Sequence, residues 1–216
     1  MLRKKMRRQF LKSLLATPLL LSGFDGVRAQ PLGAPQTPSQ AAPYQMVNIP
    51  ADRNTVRLFI SFDCSYSMDS FETFTQWGKT LPRSLRFEID QVASAPENLS
   101  FAVIWNAVKK VATPQEQYAF AQHFFAYVKS QKVAPTDPSF YVKLFKENKI
   151  PNLALAVKAT TKAELLAQIK RTEQYQLTNT PSLGIGGRYS VSPKDTNGDY
   201  GLFMELANGL VSQMLG

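Results

Sequence analysis

Residues 56–62 constrain the fold of this chain more than any other stretch. Their sequence, VRLFISF, has the apolar and β-branched density of a strand that is buried on both faces. A helical pattern follows at once, from Asp63 to about Lys79, and Pro82 ends it. A second strand is predicted over 86–92, where apolar and charged residues alternate. The order strand, helix, strand predicts an α/β fold.

The middle of the chain has helical patterns. Two capping-box sequences, TPQE at 113–116 and TKAE at 161–164, predict the first turns of helices. A further helix is expected to start at Asp137 and the proline after it. Residues 101–111 are apolar, and we interpret them as a strand end that turns helical. The three helices predict an all-helical subdomain over about 113–177, inserted between strands.

The last third of the chain returns to strand patterns. Residues 181–185 and 189–191 flank Gly186-Gly187, a pair that is typical of a two-residue hairpin turn. A final helix is predicted over 200–214, where apolar residues recur at helical spacing. The complete order is strand, helix, strand, helical block, hairpin, helix.

The first 29 residues have the pattern of an export signal. A basic start is followed by a short apolar stretch and by Val-Arg-Ala, a cleavage pattern that ends at Ala29. RRQFLK at 7–12 resembles the twin-arginine signal, and an ordinary secretion signal with a chance arginine pair is the alternative. The apolar stretch is shorter than the roughly 20 residues of a membrane helix. We therefore expect a cleaved signal peptide, no stable membrane anchor, and a bacterial periplasmic protein.

Most of the positive charge belongs to this predicted signal. The chain has 25 Lys and Arg against 16 Asp and Glu, a net charge of +9. Residues 30–216 keep 18 basic and 15 acidic residues, a net charge of about +3. No cluster of basic and aromatic residues indicates a nucleic-acid partner. Residues 30–54 are rich in Pro and Gln and are predicted to be a flexible linker. The folded domain is expected over 55–216.

Cys64 is the only cysteine of the chain. In an exported protein, a single cysteine indicates a reactive thiol or an intermolecular bridge. Its place at a predicted helix start favours the thiolate, the form that attacks disulfides, because unpaired amides and the positive end of the helix dipole stabilise an anion. Asp63 and Asp69 oppose this effect, since a nearby carboxylate disfavours a thiolate. With one cysteine and one histidine, His123, which is expected to be structural, we predict neither a metal site nor a cofactor.

Two blocks of the sequence resemble the DsbA family of thioredoxin-fold thiol–disulfide oxidoreductases. In the first block, LFISFDCSYS at 58–67, a strand leads into a motif like the family's Cys-x-x-Cys at a helix start. The second block, NTPSLGIGGRY at 179–189, resembles the family's cis-proline loop and the hairpin after it. The resemblance covers roughly residues 55–215. It implies a DsbA-like thioredoxin fold with an inserted all-helical subdomain.

The resemblance also implies roles for single residues. Cys64 would be the nucleophile that attacks a disulfide. A cis bond between Thr180 and Pro181 would present a backbone edge to an extended substrate peptide, and an X–Pro bond adopts the cis form at little cost. Ser65 and Tyr66, which follow the nucleophile, would contact substrate as well.

The chain departs from the family pattern at Ser67, which replaces the second cysteine of the motif. Ser67 would be at most a hydrogen-bond donor to the Cys64 thiolate. A single thiol can form a mixed disulfide, but a second thiol must release it. The sequence therefore predicts isomerase-like or glutathione-linked exchange with cysteine-containing exported proteins or peptides. A membrane redox partner is a further possible source of the second thiol.

Other interpretations stay open at this stage. If Cys64 is an inert remnant of an active site, the chain is a redox-inactive peptide-binding module, a chaperone, or a component of an envelope assembly such as a conjugation or secretion apparatus. Ser67 is alternatively a laboratory substitution that traps mixed disulfides. Pro181 is alternatively an ordinary trans proline in a turn.

Overall fold

The computed structural model describes residues 42–94, 96–130 and 138–216, which fall within one compact unit, Ala41–Gly216. The strands are β1 (Gln45–Met46), β2 (Thr55–Ile60), β3 (Arg86–Gln91), β4 (Ser182–Ile185) and β5 (Tyr189–Val191). The helices are α1 (Ser65–Gly78), α2 (Pro96–Val111), α3 (Pro114–Ser130), α4 (Pro138–Asn148), α5 (Leu153–Lys158), α6 (Lys162–Gln174) and α7 (Tyr200–Leu215). Short 3₁₀ turns cover Pro50–Asp52 and Pro193–Thr196.

The five strands form one mixed sheet in the order β1-β5-β4-β2-β3. β2 and β3 are parallel and are connected through α1, whereas β4 pairs antiparallel with both β2 and β5. This β-α-β unit, followed by a β-hairpin and α7, is a thioredoxin fold. The helices α2 to α6 are inserted between β3 and β4. The structure thus confirms the predicted fold class, an α/β thioredoxin fold with a helical insertion.

The main core lies on one face of the sheet. Because successive strand residues point to opposite faces, Val56, Leu58 and Ile60 of β2 all lie on this side, and each is fully buried. Helices α1 and α7 cover them, and Phe74 of α1 meets Phe203 of α7 edge to face, with ring centroids 5.6 Å apart. The apolar spacing of both helices therefore matches the face that they bury.

Phe62 connects the sheet to the helical insertion. It follows β2 and lies two residues before Cys64. Its ring packs against aromatic rings of α2 and α3, with centroid distances of 6.2 Å to Phe101, 5.7 Å to Trp105 and 4.1 Å to Phe124. This aromatic cluster holds the insertion against the end of β2 from which the cysteine projects.

The opposite face of the sheet holds a buried charged cluster. Arg57 of β2 makes a bidentate ion pair with Asp52, at 2.7 Å for both bonds, and also contacts Glu88 at 2.6 Å and Asp90 at 2.8 Å. Lys109 of α2 contacts Asp90 at 2.6 Å. Two members from α6 and its C-terminal end complete the cluster: Arg171, 3.4 Å from Asp90, and Tyr175, whose hydroxyl donates to Asp52 at 2.9 Å.

Mutual neutralisation keeps the carboxylates of this cluster ionised. Burial raises the pKa of Asp90, but Lys109, Arg57 and Arg171 outweigh it and lower the pKa to about 2. The pKa of Asp52 is lowered in the same way, because the hydrogen bond and charge of Arg57 outweigh its burial. The pKa of Arg57 is raised, since its carboxylate partners outweigh its own burial.

Side chains of the insertion cover the outer edge of β3. Parallel pairing with β2 uses one side of this strand, so the other side exposes backbone carbonyls. Trp105 donates its indole N–H to the Ile89 carbonyl at 2.8 Å, and Gln168 donates its side-chain amide to the Gln91 carbonyl at 2.5 Å. The inserted helices therefore supply hydrogen-bond donors to a strand edge that would otherwise be open to pairing with other strands.

Several boundaries differ from the sequence predictions. The predicted signal (1–29) and part of the predicted linker (30–41) lie outside the described residues. The remainder of that linker is structured, because β1 pairs with β5 and the 3₁₀ turn at 50–52 carries Asp52 into the charged cluster. This polar segment is ordered by partners that are distant from it in the sequence.

The helical insertion begins earlier and has more helices than predicted. Residues 101–111 contain no strand end; they belong to α2, which starts at Pro96, and α5 is a further helix. Proline at the first helical position was the available signal for the start of α2. Both capping boxes are present, at Thr113 with Glu116 and at Thr161 with Glu164.

The hairpin between β4 and β5 has a three-residue loop instead of the predicted two-residue turn. Ile185 pairs with Tyr189, so Gly186, Gly187 and Arg188 form the loop. Both glycines have φ of +61°, and a Cβ atom at Gly187 would collide with the carbonyl of Ile49. Glycine is therefore required here by backbone conformation and by the close approach of the segment before the 3₁₀ turn.

Candidate active site

Cys64 caps the N-terminus of α1. Its backbone is extended, with φ −94° and ψ 117°, and its carbonyl accepts the first helical hydrogen bond from the Met68 N–H at 3.1 Å. Its own N–H donates to the Ser61 carbonyl at 3.0 Å, which fixes the turn between β2 and the helix. The thiol is partly exposed. The sequence placed Cys64 correctly, since an apolar strand running directly into a helix leaves only this short turn.

A loop from the other half of the domain faces the thiol. Cys64 Sγ donates a hydrogen bond to the Thr180 carbonyl oxygen at 3.3 Å. The following Thr180–Pro181 peptide bond is cis. Pro181 is buried, and Ser182 fixes the loop by donating its hydroxyl to the Asn179 carbonyl at 2.7 Å. The two sequence blocks that resemble DsbA proteins therefore meet in space, although 116 residues separate Cys64 from Thr180.

Ser67 lies in the first turn of α1, inside the protein. It is fully buried, and its hydroxyl accepts a hydrogen bond from the Ser61 backbone N–H at 3.3 Å. Within the described residues no hydrogen bond joins Ser67 to Cys64. The role expected for Ser67, donation to the thiolate, is therefore not used in this conformation. Ser65 and Tyr66 differ from it, since both are exposed and 68% of the Tyr66 surface is accessible.

A chain of hydrogen bonds holds the carboxylate that precedes the cysteine. The buried Gln91 of β3 donates to Ser61 Oγ at 3.3 Å and accepts from the Phe62 N–H at 3.0 Å. Ser61 Oγ in turn donates to Asp63 Oδ1 in a short hydrogen bond. Gln91 is thus a supporting residue of the site that the sequence did not single out, because strand alternation alone does not show which backbone it will meet.

A polar pocket of about 340 Å³ opens on one side of Cys64. Three segments form it: the turn before α1, the loop between β3 and α2, and the loop before β4. The lining residues are Ser61, Asp63, Cys64, Val92, Ser94, Asn98, Leu177, Thr178, Asn179 and Thr180. The Ser94 N–H donates to Asn98 Oδ1 at 3.2 Å, which ties the start of α2 to this wall.

An aromatic pocket of about 270 Å³ opens on the other side of the Thr180 loop. It lies between the start of α1, the Thr180 loop and the turn before α7. The lining residues are Tyr66, Asn179, Thr180, Pro181, Pro193, Lys194, Gly198 and Tyr200. Asn179 and Thr180 belong to both pockets, so the loop that faces the thiol is the wall between them. Pattern analysis of the sequence found Tyr66, Thr180 and Pro181 but none of the residues beyond 190.

The described residues show no further obvious chemical centre. His123, on α3, has its Nδ1 atom 2.7 Å from Asn148 Oδ1. In the described ranges no three His, Cys, Asp or Glu side chains converge as metal ligands would. None of the helices described is long and apolar enough to cross a membrane.

Comparisons by sequence and by structure give different results. No protein-family model and no curated protein sequence matches the chain. Solved structures match it well. The oxidoreductase DsbA1 from Neisseria meningitidis is 19% identical, with 80% of this chain and 94% of that chain covered at a TM-score of 0.61. DsbA from Pseudomonas aeruginosa is 14% identical, with 77% and 94% covered at 0.61.

A third solved structure contains a ligand. It is a cysteine-to-serine variant of DsbA from Proteus mirabilis with a non-covalently bound peptide, 11% identical, with 81% of this chain and 96% of that chain covered at a TM-score of 0.65. At these identities the similarity establishes the fold. This chain has the DsbA arrangement, a thioredoxin fold with its helical domain inserted after the second strand of the β-α-β unit.

Proposed function

We propose that this chain, which has the fold of the DsbA oxidoreductases, exchanges thiols and disulfides in the bacterial periplasm through the single nucleophile Cys64. The observation that carries the proposal is the position of the thiol. Cys64 is partly exposed at the N-terminus of α1, and its Sγ lies 3.3 Å from the Thr180 carbonyl. Cys64 lines the polar pocket, and the aromatic pocket lies across the Thr180 loop, so a substrate has space on both sides of that loop.

The exchange needs no change in the total number of disulfides. The Cys64 thiolate attacks one sulfur of a substrate disulfide, a bond forms between Cys64 Sγ and that sulfur, and the other substrate sulfur leaves as a thiolate. In the second step an incoming thiolate attacks the substrate sulfur of the mixed disulfide. Cys64 then leaves as a thiolate and is ready for another cycle. The result is a rearranged disulfide in the substrate.

The Thr180 loop supplies the substrate contacts. In the resting structure the Thr180 carbonyl accepts the Cys64 S–H. When the thiol loses its proton this hydrogen bond is lost, and the carbonyl is free to accept a backbone N–H from an extended substrate. Ser65 and Tyr66, which are exposed at the start of α1, and Pro181, which lines the aromatic pocket, complete the contact surface.

The second thiol must come from outside the chain. Ser67 is buried, and its hydroxyl cannot form a disulfide. The candidates are another cysteine of the substrate, glutathione, or a membrane redox partner. Substrates are accordingly expected to be exported proteins or peptides that contain cysteine, and isomerisation is the reaction that needs only the substrate's own thiols.

Alkylation of Cys64 by iodoacetamide across a pH series tests the proposal in the purified protein. We expect the native thiol at pH 7 to react faster than the same thiol in urea, because the helix terminus is lost on unfolding. A Cys64→Ala variant controls for other reactive groups. If the native thiol reacts only after unfolding, Cys64 is inert and the proposed exchange does not occur.

Ser67→Cys tests the monothiol character directly. This variant restores the Cys-x-x-Cys pattern. Once oxidised glutathione has converted it to its internal disulfide, we expect it to pass that disulfide stoichiometrically to a reduced, unfolded substrate protein and to be reduced in turn, which the chain with Ser67 cannot do. The natural chain should instead accelerate the rearrangement of a scrambled substrate when a thiol is supplied. Equal oxidation by both forms would contradict a mechanism based on one thiol.

Peptide binding without redox chemistry is the second candidate function. The aromatic pocket supports it, since Tyr66, Pro181 and Tyr200 offer apolar surface that is independent of the thiol. The Proteus mirabilis structure holds its peptide non-covalently. In this case Cys64→Ala would retain the function of the protein in cells, as expected of a chaperone or an envelope-assembly component, whereas substitutions at Thr180 or Tyr66 would abolish it.

Export supports both functions and has its own test. The proposed signal in residues 1–29 contains the Arg7–Arg8 pair of the twin-arginine class. Replacing both arginines by lysine is expected to keep the protein in the cytoplasm with its signal uncleaved, and cell fractionation measures this. Unchanged export would point to the general secretion route.

A further inference from the structure

The polar and aromatic pockets differ in charge. Among the described residues that line the polar pocket, Asp63 is the only one with an acidic or basic side chain. The described lining of the aromatic pocket has the opposite sign, since Lys194 is its only charged residue. The two sides of the Thr180 loop, which faces Cys64, therefore carry groups of opposite charge.

The Asp63 carboxylate is held in place with one oxygen available. Ser61 Oγ donates to Asp63 Oδ1, and Gln91 in turn donates to Ser61 Oγ, so a buried strand residue fixes the carboxylate. Asp63 Oδ2 accepts no hydrogen bond from the described residues, and the side chain is exposed. A carboxylate fixed in this way loses little side-chain entropy when it binds a cation.

The polar pocket offers hydroxyl and amide groups around this carboxylate. Ser94, Thr178 and Asn179 supply them, and the pocket volume of about 340 Å³ is sufficient for one long side chain. Lysine and arginine carry three and five N–H donors and need such acceptors when their charge is partly desolvated. An acidic side chain would meet Asp63 with like charge.

We propose that the polar pocket binds a basic side chain of the substrate next to the cysteine under attack, with Asp63 Oδ2 as the acceptor. This inference rests on the proposed function and narrows its substrates to disulfides that are flanked by lysine or arginine. It also disfavours glutathione as the preferred partner thiol, because glutathione has two carboxylates for its single ammonium group.

Matched peptide disulfides test the subsite. Three peptides share one sequence and differ only in the residues on both sides of their cysteine, which are Lys, Gln or Glu; each is activated as a mixed disulfide with 2-thiopyridone. Release of thiopyridone gives the rate constant for attack by Cys64. The ratio of the Lys to the Gln peptide cancels any effect of Asp63 on the thiol itself. At low salt we expect a ratio of about 1.5 to 5, the range of an exposed ion pair.

Variants of Asp63 and of a neighbouring carboxylate show which of the two causes the preference for the Lys peptide. Asp63→Asn should bring the ratio close to one, and Asp63→Lys should reverse the preference toward the Glu peptide. Asp69→Asn is the matched control, since Asp69 is an exposed carboxylate on α1, the helix that Cys64 caps, and does not line the polar pocket. It should leave the ratio unchanged. A ratio of one in the natural chain, or an equal fall in Asp63→Asn and Asp69→Asn, overturns the subsite.

Equilibrium binding separates this inference from the proposed function. The same three peptides, with serine in place of cysteine, are titrated against the protein by fluorescence anisotropy. An Asp63-dependent preference for the Lys peptide, without any reaction of the activated peptides, would retain the subsite and reject the thiol chemistry. Reaction of all three activated peptides at one rate would retain the chemistry and reject the subsite.

Discussion

The two faces of β2 show how differently one strand can be buried. Val56, Leu58 and Ile60 face a core of aliphatic and aromatic side chains. Arg57, between them, faces the charged cluster with Asp52 and Asp90 and is just as inaccessible, at 5% exposure. The apolar face needs only partners of suitable size, because hydrophobic burial has no preferred direction. The charged face needs particular atoms at hydrogen-bonding distance, since each of its charges would be costly to bury alone.

This difference determines where each face is vulnerable. The apolar face is built from many similar contacts, so the loss of one side chain removes only a part of the buried apolar area. The charged face is a balanced set in which Arg57 compensates Asp52, Glu88 and Asp90 at once. Removing the arginine leaves Asp52 without its ion-pair partner, whereas Asp90 keeps Lys109 and Arg171. The predictions below use this contrast, from the largest expected effect to the smallest.

Arg57→Met should have the largest effect on stability. The substitution keeps an apolar stem of similar length but leaves Asp52 without its bidentate partner, and breaking a buried ion pair on one side costs about 3–5 kcal/mol. Urea unfolding at pH 7 measures the free energy of unfolding. Arg53→Met, at an exposed position nearby, is the matched control and should change it by less than about 0.5 kcal/mol. A loss below about 1 kcal/mol in Arg57→Met would mean that the charged cluster contributes little.

Leu58→Ala tests the apolar face of the same strand. Leu58 is fully buried, and truncation of such a leucine costs about 3 kcal/mol, through lost burial and the cavity that remains. The measurement is again urea unfolding. Because no titrating group is removed, the loss should be the same at pH 7 and at pH 4. A loss that varied with pH would show that the two faces are coupled through the strand.

Acid titration sharpens the comparison further. The folded-state pKa of Asp90 is about 2, below its ordinary value of 3.8, so the stability that it contributes is complete above about pH 5 and is lost as the pH falls toward 2. The difference corresponds to about 2 kcal/mol. Urea unfolding between pH 6 and pH 2 should show this loss in the natural chain and a shallower dependence in Asp90→Asn. Equal pH slopes in the two proteins would contradict the role of Asp90.

The capping boxes should show the smallest effects. Thr161→Ala removes the N-cap of α6, the helix that supplies Arg171 to the charged cluster, and should cost about 1 kcal/mol. Thr113→Ala makes the same change at α3, which contributes no residue to that cluster, and should cost a similar amount. Thermal unfolding of both variants measures the difference. A much larger loss for Thr161→Ala would show that fraying of α6 also weakens the charged cluster to which Arg171 belongs.

The sequence predictions succeeded where the signal is local. The strand predicted at 56–62, the Cys64 turn and the capping boxes each depend on residues that are close in the chain, and the structure has all of them, the strand as β2 over Thr55–Ile60. The predictions failed where the local structure depends on contacts with residues that are distant in the sequence. The segment 45–52 has the composition of a linker, yet β5 and Arg57 order it. Arg57 is a charged residue within an apolar run, and none of its carboxylate partners is adjacent to it in the sequence.

The site shows the same division. The sequence identified Cys64 and the Thr180–Pro181 loop, and the resemblance to DsbA proteins indicated that they would meet. It did not indicate the residues around them. Gln91 supports Asp63 through Ser61, and Tyr200 completes the aromatic pocket. Strand alternation and helix periodicity describe which way a residue faces within its own element, whereas a pocket wall depends on how several elements are placed together.

By itself the amino-acid sequence determined the fold class, the order of the main elements and the fact that only one thiol is available. The α/β class and the order of elements follow from hydrophobic periodicity, helix caps and residue identity, all of which act over a few residues, whereas the thioredoxin fold was implied by the resemblance of two sequence blocks to DsbA proteins. Only the tertiary structure decided that Ser67 is buried, that Arg57 is neutralised by three carboxylates, and that the pockets on the two sides of the Thr180 loop carry opposite charges. Those properties depend on atoms that chain folding brings from distant segments to within a few ångströms.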